Sequence, residues 1–236
     1  MGAPARETSL HVTAHGRFLV ARLPGPHDVL SWAVVGGGRR RAETVAWHQV
    51  FNRELGPDTD ARALLRGRLR DAGIPDAVGL LTSASLEAYT DVEKECVGVS
   101  ARCLATVGLG NALRAGDPPG VGSTIAAAAR VGTINLLVRV SAPLTEEALA
   151  ETLALAAEAR TLAVLEAGVR SLRSGLPATG TGTDCVVVAA PPAEPGGEPL
   201  AYAGKHTAVG HLVGAAVEEA VRTGIEAWRR SNSPSV

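Results

Sequence analysis

Five glycine-rich segments carry the residues of this chain that could do chemistry. Glycine lets the backbone approach a ligand closely, and loops at strand ends gather binding and catalytic groups on α/β scaffolds. Four of the five add a Thr, Asn, Lys or Asp side chain at such a position. Ordinary turns share this composition, so each segment alone fits a turn or a ligand site. The segments lie at residues 36–38, 108–111, 132–135, 180–184 and 204–207.

Candidate acid–base groups lie in or near these segments. Asp184 ends a Thr/Gly run just before a predicted strand, so its carboxylate either caps a turn or acts as a general base. His206 opens the last predicted helix and is suited to proton transfer near neutral pH. Glu158 has leucines at i−3, i+4 and i+7 of its predicted helix. A carboxylate on an apolar face needs a partner, so Glu158 is either a paired structural group or a site residue.

Composition limits the partners that this chain can have. The 236 residues carry a formal net charge of −1 and only 3% aromatic side chains. Proteins that bind single-stranded nucleic acid combine basic grooves with aromatic platforms, so nucleic acid is not expected. The longest apolar runs, such as 153–157, are far shorter than the ~20 residues of a membrane span, and residues 1–13 lack a signal-peptide core. We expect a cytoplasmic protein with a small-molecule ligand and no membrane partner.

Familiar catalytic motifs are missing from the sequence. Residues 98–102 fail the Gly-x-Ser-x-Gly pattern at the last position. We find neither a phosphate loop ending in Gly-Lys-Ser/Thr nor a His-Glu-x-x-His motif. The cysteines do not have zinc-site spacing. We therefore predict no metal site and no cofactor.

The order of predicted elements mixes hairpins with strand–helix units. This order favours an α+β or mixed α/β fold, with one domain built on a mixed, largely antiparallel sheet and packed helices. Segments 17–23 and 29–35 flank a Pro-Gly-Pro turn and are expected to pair antiparallel. The predicted strands are 17–23, 29–35, 78–82, 95–107, 133–140, 185–190 and 200–203, and the predicted helices are 39–55, 60–72, 145–166 and 206–228.

A single domain is expected over residues 15–230. The ends at 1–14 and 231–236 are predicted to be flexible, and the Pro/Gly/Glu segment 191–199 is predicted to be an exposed loop. The apolar helix at 145–166 and the end of the last helix at Trp228 fit a homo-oligomer interface, and they fit a monomer core equally well.

Taken in order, these segments resemble the adenosylcobinamide amidohydrolase (CbiZ-like) family. The most specific is Ala-Thr-Gly-Thr-Gly-Thr-Asp at 178–184, and the resemblance covers roughly residues 28–222. Three positions depart from the family's usual pattern. Arg160 stands where Lys is common, Lys205 where Thr is common, and Trp47 where Asn is expected before His48. The supporting segments are 36–38, 79–82, 108–112, 132–135, 158–161 and 204–207.

The resemblance implies hydrolysis of the amide that joins the aminopropanol arm to the corrin ring of adenosylcobinamide. The product would be adenosylcobyric acid, in corrinoid salvage, and the corrinoid would be substrate rather than cofactor. Two alternatives stay open. One is a homologous enzyme recruited to another substrate or reaction in a specialised biosynthetic pathway, and the other is a non-catalytic corrinoid-binding protein.

Amide hydrolysis needs an activated nucleophile, an oxyanion stabiliser and a proton for the leaving amine. One scheme uses water, with Asp184 or Glu158 as base and His206 as acid. The other uses Thr179 or Thr183 as a covalent nucleophile activated by His206. Backbone N–H groups of 180–183 would hold the oxyanion with Asn111 or Asn135. The predicted substrate-binding residues are Gly37, Gly38, His48, Asn111, Asn135, Gly180, Gly182, Lys205 and Thr207.

Overall fold

The structure is a computed structural model that describes residues 9–56, 58–118 and 132–232. Within these ranges it contains ten strands and three α-helices. The strands are β1 (His11–His15), β2 (Phe18–Ser31), β3 (Gly38–Gln49), β4 (Val78–Thr82), β5 (Thr90–Cys96), β6 (Val99–Val107), β7 (Ala112–Leu113), β8 (Ile134–Val140), β9 (Gly180–Thr181) and β10 (Cys185–Ala190). The helices are α1 (Ala61–Asp71), α2 (Glu146–Glu166) and α3 (Ala208–Asn232).

One mixed sheet organises the described residues. Its strand order is β4-β3-β2-β10-β8-β6-β5, and β1 pairs with β2 beside this path. The pairs β3/β4 and β8/β10 are parallel, and the other pairs are antiparallel. The short strands β7 and β9 form a separate antiparallel pair. The predicted α+β class with a mixed, largely antiparallel sheet is therefore confirmed.

Helices cover one face of the sheet, and the other face closes on its own strands. α2 and α3 pack on the alternating buried residues of β6, β8 and β10. On the opposite face, Leu104 and Leu137 belong to one apolar cluster with Trp47 and Leu80 of β3 and β4. All six residues of β10 are buried, which confirms that this strand is covered on both faces. None of the described helices is both long and apolar enough to cross a membrane.

Several predicted elements are confirmed. The strands at 78–82 and 185–190 have the predicted bounds, α1 is one residue shorter than predicted at each end, and β8 starts one residue later than predicted. α2 begins after Thr145, whose hydroxyl accepts a hydrogen bond from the N–H of Ala148, and Gly168 follows its end with φ +67°. α3 starts at Ala208 and extends to Asn232, beyond the predicted end at Trp228.

The segments 17–23 and 29–35 do not form the predicted hairpin. β2 is continuous from Phe18 to Ser31 and pairs along its length with β3. The register shifts between Arg22 and His27, so the Pro-Gly-Pro segment is an irregularity within one strand rather than a turn. Bulges accommodate proline, which cannot donate a ladder hydrogen bond. Residues 32–37 form the loop between β2 and β3.

The predicted helix at 39–55 is wrong, because β3 occupies most of this segment. β3 pairs with β2 on one side and with β4 on the other. Its arginine-rich start favours a helix by propensity. The four consecutive buried residues Val45, Ala46, Trp47 and His48 instead fit a strand that is covered on both faces.

The predicted strand at 95–107 is wrong in part. Its second half is β6, whereas its start belongs to the end of β5, which pairs antiparallel with β6. Val97 and Gly98 form the two-residue turn between them, and both have positive φ, at 52° and 74°. Hairpin turns of this length favour positive φ at both central residues. Valine rarely adopts positive φ, so the sequence did not indicate a turn at this position.

Part of each predicted flexible end belongs to a helix or strand. Residues 11–14 of the predicted N-terminal tail belong to β1, and α3 includes residues 231 and 232 of the C-terminal one. Residues 1–8 and 233–236 of these tails lie outside the described residues. The predicted strand at 200–203 reduces to one parallel bridge between Leu200 and Leu144.

Candidate active site

A polar pocket of about 370 Å³ opens where the 178–184 loop meets β7 and the middle of α2. Pairing of β9 with β7 sets Thr181 opposite Ala112, which joins two of the glycine segments. We call this cavity the threonine–glycine pocket. It is lined by Leu113, Arg114, Ala115, Arg160, Thr179, Gly180, Thr181, Gly182 and Asp184.

Asp184 is a buried carboxylate whose acceptor sites are occupied. Its side chain is only 6% exposed, and Oδ2 lies 3.0 Å from Nη1 of Arg160. The N–H groups of Ile134 and Thr181 each donate to it at 2.8 Å, and the Thr181 hydroxyl donates to Oδ1. An ionised carboxylate offers about four lone-pair sites. A water molecule could therefore be deprotonated by Asp184 only if one of these donors moved away.

Arg160 extends from α2 to the base of the pocket. Its side chain is 13% exposed, and Nη2 donates to the hydroxyl of Thr161 at 3.3 Å, while Nη1 pairs with Asp184. Its Nε is buried and has no hydrogen-bond partner. Arginine presents its donors in a rigid planar fork. This residue therefore fixes the carboxylate of Asp184 relative to α2.

The three threonine hydroxyls of the loop have different partners. The Thr181 hydroxyl donates to Asp184 and lines the pocket. The Thr179 hydroxyl accepts from the N–H of Ala115 at 2.8 Å, and the Thr183 hydroxyl donates to the carbonyl of Gly132 at 3.2 Å. Thr179 and Thr183 thus tie the loop to its neighbours. Thr181 is the pocket hydroxyl that a carboxylate polarises.

Close backbone packing explains the glycines at this site. A Cβ at Gly132 would lie 2.5 Å from the backbone N of Gly110 and 2.7 Å from that of Asn111. A Cβ at Gly182 would lie 2.9 Å from Nδ2 of Asn111. The two distances at Gly132 are to backbone atoms, and a real Cβ does not approach them so closely. The segments 108–111, 132–135 and 180–184 therefore meet at one place.

An apolar groove between α2 and α3 adjoins the pocket. Its volume is about 470 Å³, and Leu162 and Leu165 remain 47% and 38% exposed beside it. Thr161 lines the groove, and its hydroxyl lies 2.9 Å from the carbonyl oxygen of Ala157 and 3.1 Å from that of Thr179 in the pocket wall. We call it the α2–α3 groove. Its lining residues are Leu155, Glu158, Ala159, Thr161, Leu162, Leu165, Lys205, Gly210, His211, Gly214 and Ala215.

The chain matches the adenosylcobinamide amidohydrolase family over residues 3–233. It belongs to that family. A relative named adenosylcobinamide amidohydrolase from Halobacterium salinarum is 33% identical over 230 residues, which cover 95% of this chain and 90% of the relative. A second protein of that name, from Methanosarcina mazei, is 30% identical over 199 residues, covering 81% and 87% of the two chains. The resemblance inferred from the glycine segments is confirmed.

Two of the residues that the resemblance marked as departures from the family pattern lie at the pocket and the groove. Arg160 reaches the pocket, and Lys205 lies at the groove, where its Nζ is 2.5 Å from Oε1 of Glu158. Glu158 is 58% exposed, so its helix face is open rather than buried. The predicted base Glu158 is thus a groove residue and does not line the pocket.

His206 and Thr207 lie between Gly204 and α3. His206 is exposed and lines neither the pocket nor the groove. The Thr207 hydroxyl accepts from the N–H of Gly210 at 3.0 Å and donates to the carbonyl of Gly204, so it caps α3. The structure does not bring His206 into contact with Asp184.

Four other predicted binding residues also lie away from the pocket. Gly37 and Gly38 form the turn into β3. Asn135 is buried, where its Nδ2 donates to the carbonyl of Leu81 at 2.7 Å. His48 is buried with its ring 4.6 Å from that of Phe18, and both its ring nitrogens lack a partner. Burial, reinforced by nearby arginines, lowers the pKa of His48 to about 4, so its imidazole is neutral.

Several residues of the site were not predicted from the sequence, and one of them is Arg160, which was noted only as a departure from the family pattern. Arg114 lines the pocket and donates to the carbonyl of Pro177, and the indole N–H of Trp32 donates to the carbonyl of Asp184 at 2.6 Å. Thr181 lies within the recognised motif, although the predicted nucleophile is its neighbour Thr179 or Thr183. The proximity of Arg114 to the segment 108–111 was a usable signal. Among the described residues, no group of three His, Cys, Asp or Glu side chains is placed to hold a metal ion.

Proposed function

We propose that this protein hydrolyses the amide that joins the aminopropanol arm to the corrin ring of adenosylcobinamide, which releases adenosylcobyric acid for corrinoid salvage. The observation that carries the proposal is the similarity, along nearly the whole chain, to the Halobacterium salinarum protein named adenosylcobinamide amidohydrolase. The site adds support, because the family segments 108–111 and 132–135 pack against the 178–184 loop, and that loop lines one polar pocket.

The substrate occupies both cavities in this proposal. A corrinoid is much larger than the amide that is cleaved, so the polar pocket alone does not accommodate it. The α2–α3 groove is apolar and open, and its wall residue Thr161 contacts Thr179 in the wall of the pocket. We assign the groove to the apolar edge of the macrocycle and the pocket to the scissile amide. This arrangement follows the usual division of ligand sites into an apolar wall and a few orienting polar groups.

Thr181 is the proposed nucleophile. Its hydroxyl proton points to Asp184, which leaves oxygen lone pairs for attack on the amide carbonyl carbon. As the O–C bond forms, the proton passes to Asp184, and Asp184 then protonates the amine as the C–N bond breaks. Water hydrolyses the resulting Thr181 ester by the reverse proton transfers. A carboxylate fixed by a third group is the general arrangement of an activated nucleophile and its base.

Two arginines complete the proposed mechanism. Arg160 holds Asp184 in place through the 3.0 Å ion pair. Arg114 lines the same pocket and is the candidate donor to the oxyanion of the tetrahedral intermediate. His206 has no role in this scheme, because Asp184 both accepts and returns the proton.

Replacement of Thr181 tests the proposed function and its mechanism together. The purified protein is incubated with adenosylcobinamide, and adenosylcobyric acid and aminopropanol are quantified by mass spectrometry. Thr181→Val removes the hydroxyl at nearly constant shape, so turnover falls by roughly 10³-fold or more, while Thr181→Ser retains measurable turnover. Thr13→Val is the control, since Thr13 is exposed on β1. Substrate binding without product in the wild type contradicts the function, and a fast Thr181→Val variant contradicts the nucleophile.

A further inference from the structure

Three arginines line a cavity that the proposed reaction does not use. Arg40 comes from β3, and Arg66 and Arg70 come from successive turns of α1. The cavity volume is about 510 Å³, and no Asp or Glu side chain lines it. We call it the arginine cavity. Its remaining lining residues are Val35, Gly36, Ala63 and Pro75.

The guanidinium groups of this cavity lack carboxylate partners. Within residues 9–56, 58–118 and 132–232, none of the three forms an ion pair. Other arginines of the same region do, as Arg41 pairs with Asp28. Arg66 and Arg70 are i, i+4 neighbours, a spacing at which like charges destabilise a helix. An anion in the cavity would relieve this repulsion.

The glycine segment at 36–38 shapes the cavity. Gly36 has φ +71°, and a Cβ there would lie 2.7 Å from Nη1 of Arg40. The guanidinium of Arg40 thus lies directly over the backbone, and its Nη2 also contacts the carbonyl of Asp76 at 3.4 Å. A side chain at position 36 would displace Arg40. The segment therefore positions a donor group, although it does not line the threonine–glycine pocket.

We propose that the arginine cavity binds a phosphate group of a small anionic molecule. Planar guanidinium groups bind phosphate oxygens in a bidentate manner, and three of them lining one cavity match the charge of a phosphate better than that of a single carboxylate. The cavity also has room for more than one phosphate. The ligand class is therefore a polyphosphate or a phosphate monoester.

Isothermal titration calorimetry with sodium pyrophosphate, at fixed ionic strength, tests this site. The wild type gives saturable binding, and the double variant Arg66→Gln/Arg70→Gln binds about 30-fold more weakly or not at all. Arg173→Gln/Arg230→Gln is the control, because it removes the same charge from exposed positions outside the cavity and keeps the affinity within about twofold. Circular dichroism confirms that both variants remain folded.

Two results would overturn the proposal. One is the absence of saturable binding to the wild type, and the other is an equal loss of affinity in the control variant. A parallel titration with glycerol 3-phosphate distinguishes a polyphosphate from a phosphate monoester as the source of the phosphate group. Tighter binding of pyrophosphate assigns the cavity to a free polyphosphate, and tighter binding of glycerol 3-phosphate assigns it to a phosphate monoester.

Discussion

The ion pair between Asp184 and Arg160 should stabilise the fold as well as the site. Both side chains are nearly buried, at 6% and 13% exposure, so solvent screens the pair little. Removing one member of such a pair costs about 3–5 kcal/mol, since the other charge is left unpaired. Asp184→Asn keeps one oxygen for a backbone N–H, so we expect a loss of about 3 kcal/mol. At roughly 2–4 °C per kcal/mol for a chain of this length, the melting temperature falls by roughly 6–12 °C.

A double-mutant cycle separates the pair from its surroundings. Urea unfolding followed by circular dichroism gives the free energy of unfolding for Asp184→Asn, Arg160→Met and the double variant. The double variant should be no less stable than Asp184→Asn alone, which gives a coupling energy of about 2 kcal/mol or more. Asp28→Asn is the matched control, because its partner Arg41 is 67% exposed, and it should cost less than about 1 kcal/mol. Additive losses, or an Asp184→Asn cost below about 1 kcal/mol, would refute the reasoning.

Two further predictions concern packing and pH. Gly132→Ala places a Cβ 2.5 Å from the backbone N of Gly110 and should destabilise the protein by at least about 2 kcal/mol, whereas Gly67→Ala, in open space on α1, should stabilise it by about 0.5–1 kcal/mol in urea unfolding. Similar effects of the two substitutions would count against this packing. The pKa of His48 is about 4 when folded, below its usual 6.5, so the stability that it confers is complete above pH 6.5 and is lost as pH falls toward 4. His48→Gln should flatten the dependence of unfolding free energy on pH in that window, and an unchanged slope would disprove the assignment.

Elements with strong local signals were predictable from the sequence. The strand at 185–190 is a continuous apolar run between turn residues, and α2 has a threonine cap, an acidic first turn and a glycine after its end. β3 was not predictable in this way. Its arginine-rich start has helical composition. It is a strand because it pairs with β2 on one side and, on the other, with β4, which is distant along the chain. Tertiary pairing outweighs such weak propensities.

The candidate site, like the fold, was predictable from the sequence only in part. The sequence identified the segments that meet at the pocket, because their glycines mark close backbone contacts and their threonines and Asp184 mark polar loop ends. It did not identify Trp32, which reaches Asp184 only through the pairing of β2 with β10. Asn135 and His48 were predicted to bind substrate, yet their side chains are buried away from the pocket. A polar side chain within a strand can be buried in the interior of the protein or can contact a ligand, and the sequence alone does not distinguish these two roles.

The most direct test of the central claim is product analysis after incubation with adenosylcobinamide. Wild-type protein should release adenosylcobyric acid together with free aminopropanol in equal amounts, and Thr181→Val should bind the corrinoid without releasing either. No release of aminopropanol by the wild type, under conditions in which it binds adenosylcobinamide, would contradict the proposed function.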